Sequence, residues 1–292
     1  MVDARTLTAM LGGEWRGQCG SAPCPICQPE GKREQRALSV RSSDGQLLLY
    51  CHKSGCRFAE IAAAMGLPRG MIKPDTETQF EADAQRRAEV EKRAAQAHRV
   101  WLEAKAISGT VAESYLRARG ITCKLPPTLR FHSDCWHGPT ARRHPAMVAQ
   151  VDGAVGTAVH RTYLRADGAA KAPIMPSKAM LGNTRGGAVR LSVGPGPLVI
   201  AEGIETALSL ASGLLRGPAT IWAALSASGI KALRLPDRPG QLIIASDGDE
   251  TGRKAAYALA ERASALGWRV SMLPAPDCCD WNDIVLAKGG AA

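Results

Sequence analysis

The chain has 292 residues, enough for more than one domain, and a net charge of +10. Its longest apolar stretches, such as PLVIA and QLIIAS, are too short to cross a bilayer, and its first residues lack the features of a secretory leader. These features exclude a membrane-spanning or secreted class. We therefore expect a cytoplasmic protein whose nine cysteines serve in metal binding or reactivity rather than in disulfides.

The positive charge is concentrated in the middle of the chain. Residues 76–192 contain 18 Lys and Arg against 10 Asp and Glu, whereas residues 193–292 contain 9 against 10. A basic segment beside an acidic one favours a polyanionic substrate that is held by one segment and reacted at the other. The alternative is a solvated Lys/Arg surface without a specific partner.

The first 70 residues contain two close cysteine pairs. CPIC supplies Cys24 and Cys27, and YCHKSGC supplies Cys51 and Cys56, with 23 residues between the pairs. Strand-like segments separate the pairs, as in a zinc ribbon, where four thiolates hold Zn²⁺ and supply folding energy that a small domain lacks. The spacing is looser than usual, but it predicts a structural zinc site.

Several other residues could be confused with ligands of this site. His52 could replace one of the cysteines and Cys19 is a fifth candidate, but we interpret both as lying outside the ligand set. The remaining cysteines lack ligand spacing and are predicted to be packing residues. They are Cys123, Cys135, Cys278 and Cys279.

The segment after the cysteines predicts a long helix followed by a mixed lobe. Residues 76–107 contain good helix formers, mixed charge and neither Gly nor Pro, which is typical of a solvated spacer helix. AESYLRARGI predicts a short amphipathic helix that ends at Gly120. The strand-like pieces AMVAQVD, GAVGTAVHRTYL and GAVRLSV then predict an antiparallel or mixed α+β lobe.

From Pro197 onward, strand-like and helix-like segments alternate, which predicts a mainly parallel sheet. Glu202 follows the strand PLVIA, and Asp247 and Asp249 follow the strand QLIIAS. Because ligands of such sheets bind at the carboxyl ends of the strands, we expect these carboxylates to hold Mg²⁺ or Mn²⁺. The alternative is that DGDETG is only a strand-to-helix turn with its helix N-cap.

The motifs AEG, DGDETG and DWND, each in the same strand and helix context, resemble the Toprim domain of topoisomerases and bacterial-type primases. The resemblance implies that Glu202 is the Toprim glutamate and that Asp247 and Asp249 are the metal ligands of its Asp-x-Asp pair. The aspartates of DWND, Asp280 and Asp283, are similar to late acidic positions of primase-like members. The chain departs from the pattern of replicative primases four residues after Glu202, where Thr206 replaces an aspartate; the adjacent Glu205 would face elsewhere on a helix.

The cysteine segment, with LSV and LLLYCHKSGC, resembles the zinc-binding domain of DnaG-like primases, particularly those of phages and other mobile genetic elements. The segment GTAVHRTYLRADGAAKAPIMPSKAMLGNTRGGAVRL resembles the basic lobe that precedes Toprim in such primases. That resemblance implies that Arg161, Lys171 and Lys178 hold nucleotide or nucleic acid. Solvated surface charge is the alternative for each of these three residues.

Two histidine-containing stretches need no catalytic role under this interpretation. LRFHSDCWHGPTARRH contains His132, His137 and His144 with Cys135, in no known ligand spacing, and is interpreted as a basic loop near the nucleic-acid path. His160 lies in a strand-like run and is predicted to be packed. The aromatic content of 4% does not favour an extended base-stacking surface.

The resemblance implies an α/β protein with a Rossmann-like Toprim domain at residues 197–292. A zinc ribbon at residues 1–70, a helical linker at residues 71–108 and a basic α+β lobe at residues 109–196 precede it. The implied function is metal-dependent synthesis of short RNA primers from ribonucleoside triphosphates on a single-stranded DNA template. Because little sequence follows DWND, we expect the replicative helicase to be a separate protein.

Two other functions remain open from the sequence. A Toprim nuclease would use the same metals, although the chain has no GxxxxGK[ST] motif of the ATPase that usually accompanies such nucleases. A zinc-containing accessory protein that binds single-stranded DNA would carry an inert acidic site. A topoisomerase is disfavoured because none of the four tyrosines has the context of a catalytic tyrosine.

Overall fold

A computed structural model describes residues 3–31, 34–43, 46–66, 76–153 and 156–289. The chain divides into two compact units, Met1–Ala88 and Glu89–Ala292, and each is described by itself. The end of the predicted zinc ribbon and the start of the predicted linker, residues 67–75, lie outside the described residues. In the described part of the chain, no helix is long and apolar enough to cross a bilayer.

The first unit is built on a four-stranded antiparallel sheet with strands in sequence order. Its elements are α1 (Ala4–Met10), β1 (Glu14–Arg16), β2 (Cys19–Ala22), β3 (Leu38–Ser43), β4 (Gln46–Cys51) and α2 (Phe58–Ala64). Alternation along β3 buries Leu38 and Val40 against Leu7 of α1 and Ile61 of α2. This core is small, so a bound metal would contribute much of the stability of the unit.

The long helix α3 (Thr76–Glu103) agrees with the predicted spacer except at its end. The prediction of helix up to residue 107 was wrong, because the short strand β5 (Lys105–Ala106) pairs with the next strand of the sheet. Near its end, α3 is not a solvated spacer. Its Ala97 is fully buried in a cluster of side chains from the following sheet, and the Arg130 guanidinium lies 4.1 Å from the centre of the Trp101 ring.

The second unit contains a five-stranded antiparallel sheet in the order β5 to β9, with the short helix α4 (Val111–Ala118) between β5 and β6 on the chain. Its remaining strands are β6 (Leu129–His137), β7 (Arg142–Val151), β8 (Ala158–Tyr163) and β9 (Lys178–Leu181). One face packs against α3, and the other packs against α4 and the second sheet of this unit.

The histidine-rich stretch of this lobe differs from its prediction as a loop. His132, Cys135 and His137 lie on β6 and His144 lies on β7, in an antiparallel hairpin with a register shift between His132 and Cys135. Side-chain packing explains the difference, because the rings of His137 and His144 lie edge to face against Tyr163. His160 is buried, as predicted.

The second sheet of this unit is mainly parallel, as predicted, in the order β10-β12-β11-β13-β14 with only β10 antiparallel. Its strands are β10 (Val189–Ser192), β11 (Leu198–Ala201), β12 (Thr220–Ala223), β13 (Gln241–Ala245) and β14 (Arg269–Met272). Its helices are α5 (Ile204–Ser209), α6 (Ala227–Ala232), α7 (Glu250–Ala265) and α8 (Trp281–Gly289). After α5 the chain kinks at Ser212 and Gly213, which are not helical. Strand β10 precedes the predicted start of the Toprim domain at residue 197.

The helix α8 is held by a buried amide. Asn282 is fully buried, and its Nδ2 donates to the Arg119 carbonyl oxygen at 2.8 Å and to the Ser209 Oγ at 2.9 Å. These bonds attach α8 to the end of α4 and to α5, so they join the last helix to both lobes of the second unit.

Asn282→Ala should therefore lower the free energy of unfolding by about 2 kcal/mol, since it leaves buried polar groups without a partner and opens a cavity. Urea denaturation of the variant and of the wild type measures this difference. Asn183→Ala, at an exposed position, is the matched control and should cost less than about 1 kcal/mol. Equal effects of the two substitutions would contradict the role given to Asn282.

Candidate active site and metal centres

Glu202 directly follows β11, whose four residues are all buried in the middle of the parallel sheet. The side chain is half-buried at the carboxyl end of the strand. Burial raises the pKa of Glu202, and the nearby charges of Asp247 and Asp249 raise it further. The backbone N–H of Ala227 and the ammonium of Lys178 oppose this shift. Glu202 is thus a carboxylate that favours a proton or a cation.

Asp247 follows β13 at the same edge, because β11 and β13 pair in parallel with Ala201 opposite Ala245. Burial raises the pKa of Asp247 to about 6, with a further contribution from the charge of Asp280. The Thr206 hydroxyl donates to Asp247 Oδ1 at 3.3 Å and partly offsets the shift. Glu202, Asp247 and Asp249 together are called the acidic edge. Thr206, which replaces the aspartate expected at its position, contributes a neutral donor to this edge.

Asp249 has the capping role that the sequence left open as an alternative. It is the N-cap of α7, and its Oδ1 accepts a hydrogen bond from the Gly252 N–H at 2.6 Å. Its charge also raises the pKa of Glu202 and Asp247. The two roles are compatible, since one carboxylate both caps the helix and acts through its charge on the other two.

The glycine between the two aspartates is required by a close backbone contact. The Gly248 N–H donates to the Cys279 carbonyl oxygen at 2.9 Å, and a Cβ at Gly248 would collide with the Pro276 carbonyl oxygen. Residues 276–279 thereby hold the DGD turn in place. Cys278, predicted as a packing residue, is instead exposed with a φ of 61°, because it lies on the turn of this loop.

The two aspartates of DWND form a helix cap. Asp280 Oδ1 accepts from the N–H groups of Asn282 and Asp283 at 2.8 and 2.9 Å, and Asp283 Oδ2 accepts from the Asp280 N–H at 2.9 Å. This reciprocal pattern is a capping box at the start of α8. The charge of Asp280 still raises the pKa of Asp247, so the structure brings Asp280 to the acidic edge, whereas Asp283 is exposed and engaged in the cap.

Beside the acidic edge lies a buried carboxylate to which the sequence analysis gave no role. Glu205, in the first turn of α5, forms ion pairs with Lys178 at 3.0 Å and Lys171 at 3.4 Å, and it accepts a hydrogen bond from the Tyr115 hydroxyl at 3.0 Å. Its pKa is held well below its usual range, because the two ammonium groups outweigh the effect of burial. Four segments of the chain form this cluster, namely α4, the segment before β9, β9 and α5, so no local motif indicated it.

The three basic residues predicted to bind nucleotide do not lie together. Lys171 and Lys178 converge on Glu205, and the charge of Lys178 acts on both Glu202 and Asp247. Arg161 pairs with Ala179 across β8 and β9, so its side chain lies on the opposite face of the sheet from Lys178. There its guanidinium donates to the Trp136 carbonyl oxygen at 3.1 Å.

The acidic edge fits a divalent cation in its chemistry. Its donors are carboxylate oxygens, and burial together with the charges of neighbouring carboxylates raises the pKa of Glu202 and Asp247, so a positive charge would be favourable there. Among the described residues, only the four cysteines are gathered closely enough to surround an ion directly. Carboxylate oxygens are donors that suit Mg²⁺, which usually keeps several of its waters.

The four cysteines predicted to bind zinc form one cluster. The Sγ atoms of Cys24, Cys27, Cys51 and Cys56 all lie within 4.8 Å of one another, which is compatible with a tetrahedral Zn²⁺ site. Burial opposes ionisation of Cys51, but backbone N–H groups, led by that of Ser54, outweigh it and lower the thiol pKa to about 6. Burial and the neighbouring thiols raise the pKa of Cys56. A cation among the four sulfurs would stabilise their thiolate forms together.

The two alternative ligands, His52 and Cys19, lie outside this cluster. His52 is exposed, and its Nε2 lies 2.6 Å from the Ser39 Oγ. The Cys19 thiol donates to the Gly20 carbonyl oxygen at 3.3 Å.

Comparison with known families identifies the domain that contains the acidic edge. Residues 197–291 match the Toprim domain, and residues 91–191 match a domain of unknown function, DUF7146. Residues 197–291 are therefore a Toprim domain, as predicted. The two features on which the resemblance to DnaG-like primases depends, the Toprim domain and the four-cysteine cluster, are both present. No curated protein matches the sequence.

Among solved structures, the chain is similar to a DNA primase domain from Pseudomonas aeruginosa, with 21% identity and a TM-score of 0.34 over 59% of this chain and 54% of that one. It is similar to the Aquifex aeolicus primase, zinc-binding and RNA polymerase domains, with 15% identity and a TM-score of 0.41 over 100% and 81%. It is also similar to the RNA polymerase domain of Mycobacterium tuberculosis primase DnaG, with 17% identity and a TM-score of 0.39 over 69% and 80%. The chain thus spans about half of the Pseudomonas chain.

The cysteine cluster predicts that purified protein contains a single zinc ion and that Cys24→Ser lowers the zinc content and unfolds the first unit. Removal of a thiolate breaks the ligand set that supplies folding energy to a small core. Elemental analysis and circular dichroism measure the two effects. Cys19→Ser is the matched control, since that thiol lies outside the cluster, and its zinc content should equal that of the wild type.

The raised pKa of Asp247 predicts how stability depends on pH and Mg²⁺. In EDTA, the native state binds the Asp247 proton more tightly than the unfolded state does. The contribution of this group to stability therefore declines as the pH rises through about 6. Mg²⁺ should raise the melting temperature above that pH and lose its effect below it, because it competes with the proton.

Asp247→Asn should remove most of the Mg²⁺ effect and raise the stability of the metal-free protein at neutral pH by about 1 kcal/mol, since it removes a repelled charge. Thermal melts with EDTA or Mg²⁺ across this pH range test both statements. Asp277→Asn, which changes a carboxylate that is 88% exposed, is the control and should preserve the Mg²⁺ effect. Full retention of the Mg²⁺ effect in Asp247→Asn would exclude this aspartate as a ligand.

Proposed function

We propose that the protein is a primase-like nucleotidyltransferase that synthesises short RNA primers on single-stranded DNA. The observation that supports this proposal is that the carboxylate edge of the Toprim domain lies beside two lysines of the basic lobe within one unit. A divalent metal and a triphosphate require these opposite charges at adjacent positions. Hydrolysis or binding of nucleic acid alone does not require the lysine pair in this position.

Glu202, Asp247 and Asp249 would hold the divalent metals, with Asp280 beside them. When bound, Mg²⁺ or Mn²⁺ neutralises charge on the attacking and leaving oxygens of phosphoryl transfer. Lys171 and Lys178 bind phosphate oxygens of the incoming ribonucleoside triphosphate. The Lys178 charge already acts on both Glu202 and Asp247, which agrees with this assignment.

In the proposed reaction, the 3′-hydroxyl of the growing primer attacks the α-phosphorus, and the bond from that phosphorus to the bridging oxygen of pyrophosphate breaks. Glu202 is the candidate acceptor for the hydroxyl proton, because its raised pKa brings it closer to neutral pH. The lysines neutralise the negative charge that develops on the leaving pyrophosphate.

The template is proposed to contact the basic lobe and the zinc-containing unit. On the β6–β7 hairpin, Trp136 is 48% exposed and the guanidinium of Arg143 lies 5.9 Å from its ring centre, an arrangement suited to a nucleic-acid base and its phosphate. Arg161 lies on the other face of the sheet and is proposed for the nucleic acid rather than for the triphosphate. A separate helicase is proposed to deliver the template.

The test is a priming assay with single-stranded DNA of mixed sequence, four labelled ribonucleotides and Mg²⁺ or Mn²⁺. Wild-type protein should make short labelled products, and Asp247→Asn should make fewer by on the order of 10²-fold or more, since a carboxylate of the acidic edge is lost. Asp277→Asn, at an exposed position, should be as active as the wild type.

Other outcomes identify the alternative functions. Metal-dependent cleavage of the DNA without synthesis would replace this proposal by a Toprim nuclease. Template binding with neither synthesis nor cleavage, in the presence and absence of a replicative helicase, would indicate a zinc-containing accessory protein with an inert acidic site.

A further inference from the structure

Glu205 is the most deeply buried carboxylate beside the acidic edge. It is 4% exposed and is held ionised by Lys178 and Lys171, although burial by itself favours the protonated form. The two lysines reach it from the segment before β9 and from β9 itself, whereas Glu205 lies three residues after Glu202 on α5. The cluster thus links the basic lobe to the strand end that supplies Glu202.

The two ammonium groups of the cluster pair with different oxygens of the same carboxylate. Lys171 Nζ lies 3.4 Å from Oε1 and Lys178 Nζ lies 3.0 Å from Oε2, while the Tyr115 hydroxyl fixes the carboxylate by donating to Oε1 at 3.0 Å. Glu205 therefore acts as a bridge that keeps two like charges close together. Without it, the ammonium groups would repel each other and move apart into solvent.

Each lysine is only partly covered by this contact. The side chains of Lys171 and Lys178 are 32% and 37% exposed, whereas that of Glu205 is 5% exposed. The two ammonium groups and the one carboxylate together carry a net positive charge. The charge of Lys178 also lowers the pKa of Glu202 and Asp247, so it acts on the acidic edge. The uncompensated charge is therefore available to an anion at that edge.

Stability alone is a weak reason for such a cluster. Burying an ion pair costs about as much desolvation free energy as it returns, and apolar residues of similar volume hold two lobes together at least as well. The second unit already has a continuous apolar core that joins its two sheets, including Tyr115, Met147 and Ile204. The presence of three charged groups at this position is better explained by a ligand.

We infer that Glu205 is a positioning residue that holds Lys171 and Lys178 as a pair at the acidic edge, where they bind the triphosphate of a nucleotide. This inference rests on the proposed function and specifies the ligand chemistry of the same site. Two adjacent ammonium groups match the several charged oxygens of a triphosphate, and a monophosphate would engage only one of them. The site should therefore discriminate by phosphate number.

The test is the affinity for ATP with Mg²⁺, measured by isothermal titration calorimetry for the wild-type protein and for Glu205→Gln. The variant keeps the shape and an acceptor for Tyr115 but removes the negative charge. We expect ATP binding to weaken by about tenfold, equivalent to about 1.4 kcal/mol, with little change for AMP. ATP binding should weaken as the pH rises and Lys171 loses its proton. Because Glu205 raises the pKa of Lys171, this weakening should occur at a lower pH in the variant than in the wild type.

Tyr115→Phe is the matched control for a purely structural role. It removes a buried hydrogen bond to the same carboxylate and keeps all three charges, so it should lower stability without changing the pH dependence of ATP binding. If Glu205→Gln does not fold, Lys171→Met and Lys178→Met test the same pair from its exposed side. Each should weaken ATP binding, and their effects should not be additive because the two lysines act as one unit.

The outcomes separate this inference from the proposed function. Unchanged ATP affinity and pH dependence in Glu205→Gln, or no ATP binding by the wild type, would overturn the inference. ATP binding that depends on Glu205 in a protein that makes no primers supports the inference and counts against the primase proposal. Normal primer synthesis by Glu205→Gln would support the primase proposal and contradict the positioning role of Glu205.

Discussion

Repulsion between carboxylates at the ends of two adjacent parallel strands is the constraint on which the second unit depends. The parallel register of β11 and β13 places Glu202 and Asp247 at one edge, and burial of both raises their pKa. Thr206 and Lys178 reduce the repulsion from within the protein, one as a neutral donor and the other as a cation. What remains is an edge that favours a further positive charge, which is the electrostatic basis for a divalent metal.

The Glu205 cluster extends the same electrostatic logic to the basic lobe. Without Glu205, the two ammonium groups would repel each other and move apart into solvent. Glu205 gives both ammonium groups a shared anion, three residues after Glu202. Opposite charges therefore lie next to each other in one packed unit.

The first unit depends on a different interaction, the convergence of four thiols. Its apolar core consists of a few side chains from one antiparallel sheet and two short helices. Two cysteine pairs from distant parts of this unit meet within one cluster, and the neighbouring thiols disfavour ionisation of Cys56. A metal at this position would join the two pairs and supply stability that the core lacks.

The sequence by itself determined the parts of the structure that depend on local pattern. Apolar runs that end in carboxylates predicted the parallel sheet and the edge at Glu202, Asp247 and Asp249, because strand ends are visible in hydrophobic periodicity. The spacing of the cysteines predicted their cluster, because two close pairs separated by strand-like segments are typical of a zinc ribbon. The long helix was also visible, but its end was not, since the pairing of β5 with β6 overrides helix propensity at residues 105 and 106.

Only the tertiary structure decided which charged groups meet. Arg161, Lys171 and Lys178 are equivalent in the sequence, yet the register of β8 and β9 sends Arg161 to the opposite face and Lys178 to Glu205. Asp280 and Asp283 form a helix cap that also brings Asp280 to the edge, and Glu205 acquires its partners from α4, β9 and the segment before it. Such contacts join residues up to 90 positions apart, so they depend on the packing of whole elements and have no local signature in the sequence.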